Sequence, residues 1–363
     1  MKYKQNAVTI ERFDLSGKSK LLAFLKIAFA ENPRQSDERF WDWHFVENPH
    51  SKPEKMPVWL AKSGGQIAGH LAAIPVELKV GGEILPAIWI LDLIVDPNFR
   101  RQGIGKKLAL AAEEFCPLML GANTMEQHSP ALLQGLGWKI MSRIPRFHKL
   151  LFPGAALREI SKIKPLAKAV NLGFAPFRPR SKGENLRENE NLRLLDGFDA
   201  DFDKLWNEAS GQFNCAVKRD AKMLVWQYQK QPGKKYDILG CYEKGNLRGY
   251  AVLFFRKPDA KGAISKAAIS DICYHPENAQ KTVDALIKGA LQIAVERRAG
   301  GLVTDVIDPL IEDRLEFFKF WRVKNPLLLM VKTDVRQDLL YDEKNWFWTR
   351  GDSDISIFED PNL

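Results

Sequence analysis

Between Asp92 and Phe115 the chain reads DLIVDPNFRRQGIGKKLALAAEEF, which brings four cations and two glycines to one short turn. The preceding ILDLIV is apolar enough for a buried strand, and Lys106 to Phe115 has helical spacing. A helix start leaves its first N–H groups without intrahelical partners and carries the positive end of the dipole. Gly103 and Gly105 allow a ligand to approach the backbone closely. Arg100, Arg101, Lys106 and Lys107 add positive charge. The chemistry this predicts is capture of a diphosphate at a strand–turn–helix junction. The turn has only G-x-G, so it is not a dinucleotide fingerprint, and it lacks the G-K-[ST] of a Walker loop.

The elements that position this turn appear twice. WHFVENP at Trp43 is echoed by WQYQKQP at Trp226, and GGQIAGHLAAI by KGNLRGYAVLF. ILDLIVDP is echoed by ISDICYHP, and SRIPRFHKLL by RVKNPLLLMV, all at offsets near 180 residues. Repeats of this length imply two tandem domains, not a solenoid. Each has an opening strand, helical material, a Trp-rich helix and glycine-turned hairpins at Gly64-Gly65 and Gly81-Gly82 in the first copy. A helix, a strand, a short helix and a last strand pair follow. The fold class is α+β with a mixed sheet in each copy.

The expected division is an N-terminal domain over 1–152, a basic helix and polar linker over 153–191, a second domain over 192–335, and a docked tail over 336–363. The linker is marked by RPRSKGENLRENENLR, and the basic helix by PGAALREISKIKPLAKAVNLGF. That helix has the composition for a peripheral membrane contact, but Pro165 interrupts its face, which favours packing within the protein. Trp346, Phe347 and Trp348 are the expected anchors of the tail, and Asp352, Asp354, Glu359 and Asp360 make it acidic.

The glycine turn resembles the central motif of the GNAT acyltransferase superfamily. Arg100, Gly103 and Gly105 match it, with Val95 and Pro97 upstream. SPALLQGLGWKI resembles the second signature of that family, with Leu136-Gly137-Trp138 in place of L-G-F. The resemblance covers residues 8 to about 151. It implies that Arg100, Arg101, Gln102, Gly103, Ile104, Gly105 and Lys106 bind the pyrophosphate of acetyl-coenzyme A or another acyl-coenzyme A. It also implies that Leu93, Ile94 and Val95 present backbone groups to the pantetheine arm. Asp92 is then the candidate base, with a structural brace as the competing role because Asp271 occupies the same place in the second copy. The tyrosine that often protonates the leaving thiolate is replaced by Leu133, which leaves His128, Glu126 or water as substitutes.

The second copy reads HPENAQKTVD where the first reads DPNFRRQGIG. Alignment sets Thr282, Val283 and Asp284 against Gly103, Ile104 and Gly105, with Asp284 repelling phosphate. One coenzyme A per chain is the expectation.

The implied activity is N-acetyl transfer from acetyl-coenzyme A to a primary amine of a small molecule or amino sugar, by direct attack in a ternary complex. Two alternatives stay open. One is an aminoacyl transferase of the peptidoglycan-bridge type; the other is a non-catalytic coenzyme A-binding protein. His44 and Glu77 are further candidates for the acceptor side. Trp41, Trp43 and Phe45 form either an aromatic wall there or core packing, and their repetition as Trp226 and Tyr228 favours the core.

The formal net charge of +9 suits anionic partners, but no nucleic-acid motif is present, so nucleic acid is not the expected partner. Four scattered cysteines without C-x-x-C predict neither a metal site nor disulfides and suit a reducing cytoplasm. No apolar run has the length of a membrane span, and the N-terminus has no secretory pattern.

Overall fold

The computed structural model describes residues 7–124, 129–154, 172, 191–256 and 266–353. Most of the expected basic helix and linker, His128, Glu126 and the last ten residues of the tail lie outside the described residues.

Sixteen strands are described. In the first half they are β1 (Thr9–Arg12), β2 (Val58–Ser63), β3 (Gln66–Val80), β4 (Glu83–Val95), β5 (Leu118–Thr124), β6 (Lys139–Arg143) and β7 (Arg146–Leu150). In the second they are β8 (Leu192–Leu195), β9 (Cys215–Val217), β10 (Tyr236–Glu243), β11 (Asn246–Phe255), β12 (Ala267–Tyr274) and β13 (Gly301–Ile307). The chain closes with β14 (Trp321–Val323), β15 (Leu327–Thr333) and β16 (Trp348–Thr349). Gly64-Gly65 and Gly81-Gly82 turn the first two hairpins, and Gly64, Gly65 and Gly81 take positive φ there.

The strands form two mixed sheets, so the GNAT-like tandem architecture is present. The first runs β1-β2-β3-β4-β5-β15-β6, with β9 on β3; the second runs β14-β7-β13-β12-β11-β10-β8, with β16 on β13. These sheets do not follow the expected seam after Phe152. β7 leaves the first half to pair with β13 and β14, and β15 leaves the second half to lie between β5 and β6. The two segments cross at the repeated prolines, Pro145 and Pro326. Ile144 N–H donates to Leu327 O, Asn325 Nδ2 donates to Ile144 O, and Val306 N–H donates to Pro145 O. Each core therefore draws on both halves: Leu327 to Val331 are buried in the first, and Phe147, Leu151 and Phe152 in the second.

A pseudo-twofold relation is plainest at the Trp-rich helices. Each runs into one π-type turn, at Asp42–Val46 and at Val225–Gln229. Trp43 and Trp226 stack with centroids 5.0 Å apart, and each indole Nε1–H donates to the other's backbone carbonyl at 2.8 Å. Trp41, Trp43 and Phe45 are buried. The aromatic run is thus interdomain core and not a wall of the acceptor site.

Candidate functional site

β4 and β5 pair in parallel at Ile88–Met119 and Trp89–Leu120. Beyond that point the two part: β5 stays paired on its other edge with β15, from Leu118 to Thr124, while β4 continues along β3 to Val95. The register of β3 on β4 slips between His70 and Ala72, which leaves a bulge at Asp92 and Leu93. Asp92 takes φ of 54°, a left-handed conformation unusual for a residue with a side chain. Asp92 to Val95 are half-exposed along the open edge of the gap. Backbone groups and the Asp92 carboxylate thus share the edge where β4 and β5 part.

Two side chains that sequence reasoning missed hold this bulge. The Gln35 amide donates to the Asp92 carboxylate, and His70 Nδ1–H donates to the Asp92 carbonyl at 3.0 Å. His70 is fully buried, and burial depresses its pKa to about 4, so it is neutral and the donor must be Nδ1. No spacing marks either residue, since Gln35 comes from the short 3-10 helix Pro33–Ser36 and His70 from the interior face of β3.

After Val95 the chain makes a turn over Pro97–Phe99, capped by the Asp96 side chain on Asn98 N–H at 2.8 Å. Arg100 Nε–H reaches back to Val95 O at 3.3 Å. Arg101 and Gly103 both take positive φ, at 64° and 73°. Gly103 is the left-handed cap of the Ile104–Phe115 helix, and the first bond across it runs from Lys107 N–H to Gly103 O at 3.1 Å. The N–H groups of the first helical turn therefore point out past Gly103, where a Cβ would meet nothing within 4 Å. Gly105 has a different reason: a Cβ there would lie 3.2 Å from Leu132 of the Ser129–Gly135 helix. Arg100, Arg101, Lys106 and Lys107 are exposed around this opening, while Gln102 is half-buried and Ile104 fills the core. The arrangement offers a charged, donor-lined seat for an anion at the end of the groove.

Several expectations on the acid and acceptor side change. Leu133 is fully buried in the first core, so that position contributes packing only. His44 is buried among Phe40, Trp43 and Phe45, with its pKa depressed to about 3, and does not reach a cleft. Glu77 pairs with Lys218 at 2.7 Å across the two halves. Gly137, at φ of 86°, ends the short helix as expected.

The second domain carries the same parts in another state. Gly69 approaches Ile104 and Leu108 in the first domain, and Gly249 approaches Thr282 and Leu286 in the second. Both pairs give one offset, 282 − 104 = 178 and 286 − 108 = 178. The sequence alignment of the turn was therefore one residue out. On the structural alignment the Ala279–Glu296 helix begins at the counterpart of Arg101, three residues earlier than its partner at Ile104. Helix thus runs through the place of the anion turn. Thr282 and Val283 are core, and Asp284 pairs with Arg314 at 2.7 Å, so the glycine turn has no counterpart here because the helix extends through it, and Asp284 does not face that place as a free charge.

Asp271 is likewise a brace. It accepts from Tyr250 OH at 2.8 Å, Thr349 Oγ1 at 2.7 Å and Arg219 Nε at 3.2 Å, all buried. Every residue of β12 is buried, whereas at the end of β4 Asp92 to Val95 are half-exposed.

Residues 21–132 match the model of the acetyltransferase (GNAT) family. The chain carries a GNAT domain over those residues, within a tandem of two such sheets. A comparison with curated protein sequences finds no match. Among solved structures, a probable N-acyltransferase from Enterococcus faecalis V583 superposes with a TM-score of 0.61 at 14% identity, covering 92% of this chain and 75% of that one. Saccharomyces cerevisiae N-myristoyltransferase with bound myristoyl-CoA gives 0.59 at 13%, covering 90% and 82%. A GCN5-related N-acetyltransferase from Kribbella flavida gives 0.56 at 14%, covering 93% and 74%. At these identities the likeness is one of fold. Among the described residues no helix is long and apolar enough to cross a membrane, and no cluster of metal-binding side chains occurs.

Proposed function

We propose that the chain transfers an acyl group from acyl-coenzyme A to a primary amine, with acetyl as the donor group, and binds one coenzyme A per chain. One observation carries this reading. Of two clefts built alike, only the first keeps a half-exposed strand edge ending at a left-handed glycine cap with outward N–H donors. In this reading Arg100, Arg101, Gln102, Gly103, Ile104, Gly105 and Lys106 hold the pyrophosphate, and the backbone of Leu93 to Val95 holds the arm and polarises the thioester carbonyl. Asp92 takes the proton of the attacking amine, directly or through water. The amine nitrogen bonds to the carbonyl carbon, the carbon–sulfur bond breaks, and the thiolate leaves with a proton from solvent or His128.

Titration calorimetry with acetyl-coenzyme A is the test. Binding at one site in the micromolar range is expected, and its loss in an Arg100→Glu, Gly103→Asp double variant. Affinity weaker than millimolar in the wild type sinks the proposal. A donor series from acetyl to myristoyl, prompted by the myristoyl-CoA complex of the yeast relative, reads the acyl length. The burial of Leu133 favours a second reading, a coenzyme A-binding protein without transfer activity. Tight binding with no turnover across a broad amine panel would establish that one.

A further inference from the structure

In the second domain β12 and β13 pair in parallel only at Ala267–Leu302 and Ala268–Val303, and the gap beyond them contains the chain's own residues 348–353, while Trp346 and Phe347 just before it are bonded to Cys215. β16 pairs with β13 through Val306–Thr349 and Ile307–Trp348, while Thr349 Oγ1 donates to Asp271 on β12 at 2.7 Å. The segment therefore lies where the first domain has its half-exposed groove. We propose that the second domain is a sequence-specific peptide-binding domain, and that its groove, the counterpart of the acyl-donor groove, is occupied in cis by residues 348–353.

The polar contacts are those of a recognition site. Arg350 pairs with Asp305, Asp352 with Arg219, and Thr349 with Asp271, all buried. The receiving side also carries bonds that do not involve the segment. Arg219 is bonded to Asp271 and to Val217 O, Asp271 to Tyr250, and Asp305 to Arg146 Nε at 2.6 Å. These bonds lie within the body, and a pre-organised groove requires such bonds. Gly351 sets the specificity. A Cβ there would fall 1.9 Å from Tyr228 OH, and Gln227 Nε2–H donates to the Gly351 carbonyl. The apolar anchors precede this contact: Phe347 stacks on Phe213 at 4.0 Å in the second core, and Trp346 and Trp348 are buried in the first. The proposal does not depend on coenzyme A binding.

The test keeps the full chain. A protease site is inserted between Glu343 and Lys344, which are exposed, and the folded protein is cleaved there. A fluorescein-labelled synthetic peptide of residues 344–363 is then added in excess, a few degrees below the melting point. Saturable uptake is expected, read as a rise in anisotropy. Unlabelled wild-type peptide should compete, and a Gly351→Val peptide should compete at least 100-fold less well. No uptake after a day, or equal competition by both peptides, overturns the proposal. As a second measurement, amide exchange in a full-length Gly351→Val variant should rise at 348–353 and in the groove, with the first sheet still protected. Loss of protection throughout the molecule would make the segment a core strand and would also overturn it.

Discussion

Asp92 holds a left-handed conformation that Gly adopts freely and Asp seldom does, and a neutral histidine and a glutamine fix it there. The sequence showed Asp92, the arginines and the glycines, because their types and spacing are local. It did not show Gln35 and His70, because their meaning comes only from what the fold sets beside them. The buried histidines make a pH prediction. His44 and His70 titrate near 3 and 4 in the folded chain but near 6.5 once exposed. Below 6.5 the unfolded chain binds protons that the folded chain does not, so stability falls as pH drops from 6.5 toward 4. At pH 5 the loss is about 2 kcal/mol for each histidine relative to pH 7.5. Urea denaturation at the two pH values checks this. A His44→Phe variant should lose about half as much on acidification, and an unchanged loss would refute the assignment.

At the scale of elements, the key contact is a helix pressed on a strand through a glycine. A Cβ on Gly69 would lie 3.1 Å from Ile104 Cγ2 and 3.1 Å from Ile94 O, so Gly69→Ala forces the Ile104–Phe115 helix outward. We expect a loss of about 1–3 kcal/mol in stability and at least tenfold weaker coenzyme A binding, since the helix start moves with the helix. Unchanged binding in calorimetry would show that the anion seat does not depend on this packing. Hairpins, helices and the short helix before Gly137 were legible from glycine placement and periodicity. The phase of the second helix was not. Side chains at one-residue shifts, Thr282 or Val283, read equally well in sequence, and only the contact at Gly249 settles the offset. The stacked Trp43 and Trp226 pair is the other element-scale joint. Trp43→Ala should cost about 3–5 kcal/mol, measurable as a lowered denaturant midpoint in one cooperative transition. Two separate transitions in the wild type would show that the pair does not couple the domains.

For the whole molecule, the duplication was readable from four echoed blocks, yet the exchange of β7 and β15 was not. An apolar strand has the same pattern whichever sheet receives it, and the repeat itself supplies two equivalent places. Residues 1–180 alone lack β15 and leave β7 without its sheet, so this fragment should be insoluble. Joining residues 326–334 in place of β7, after Ile144, should restore a soluble first sheet; an insoluble product would show that the interdomain contacts, not the missing strand, are limiting. The exchange also sets a clock on biosynthesis. The place between β5 and β6 is filled only by a strand ending at Thr333, and 333 − 143 = 190 residues separate it from the end of β6. At about 5–20 residues per second, the ribosome needs roughly 10–40 s to deliver it. Through that interval the emerging first half presents two open strand edges, the form in which nascent chains most readily join one another. A chaperone that shields strand edges during translation is therefore expected to raise the yield of this protein more than any additive supplied after release.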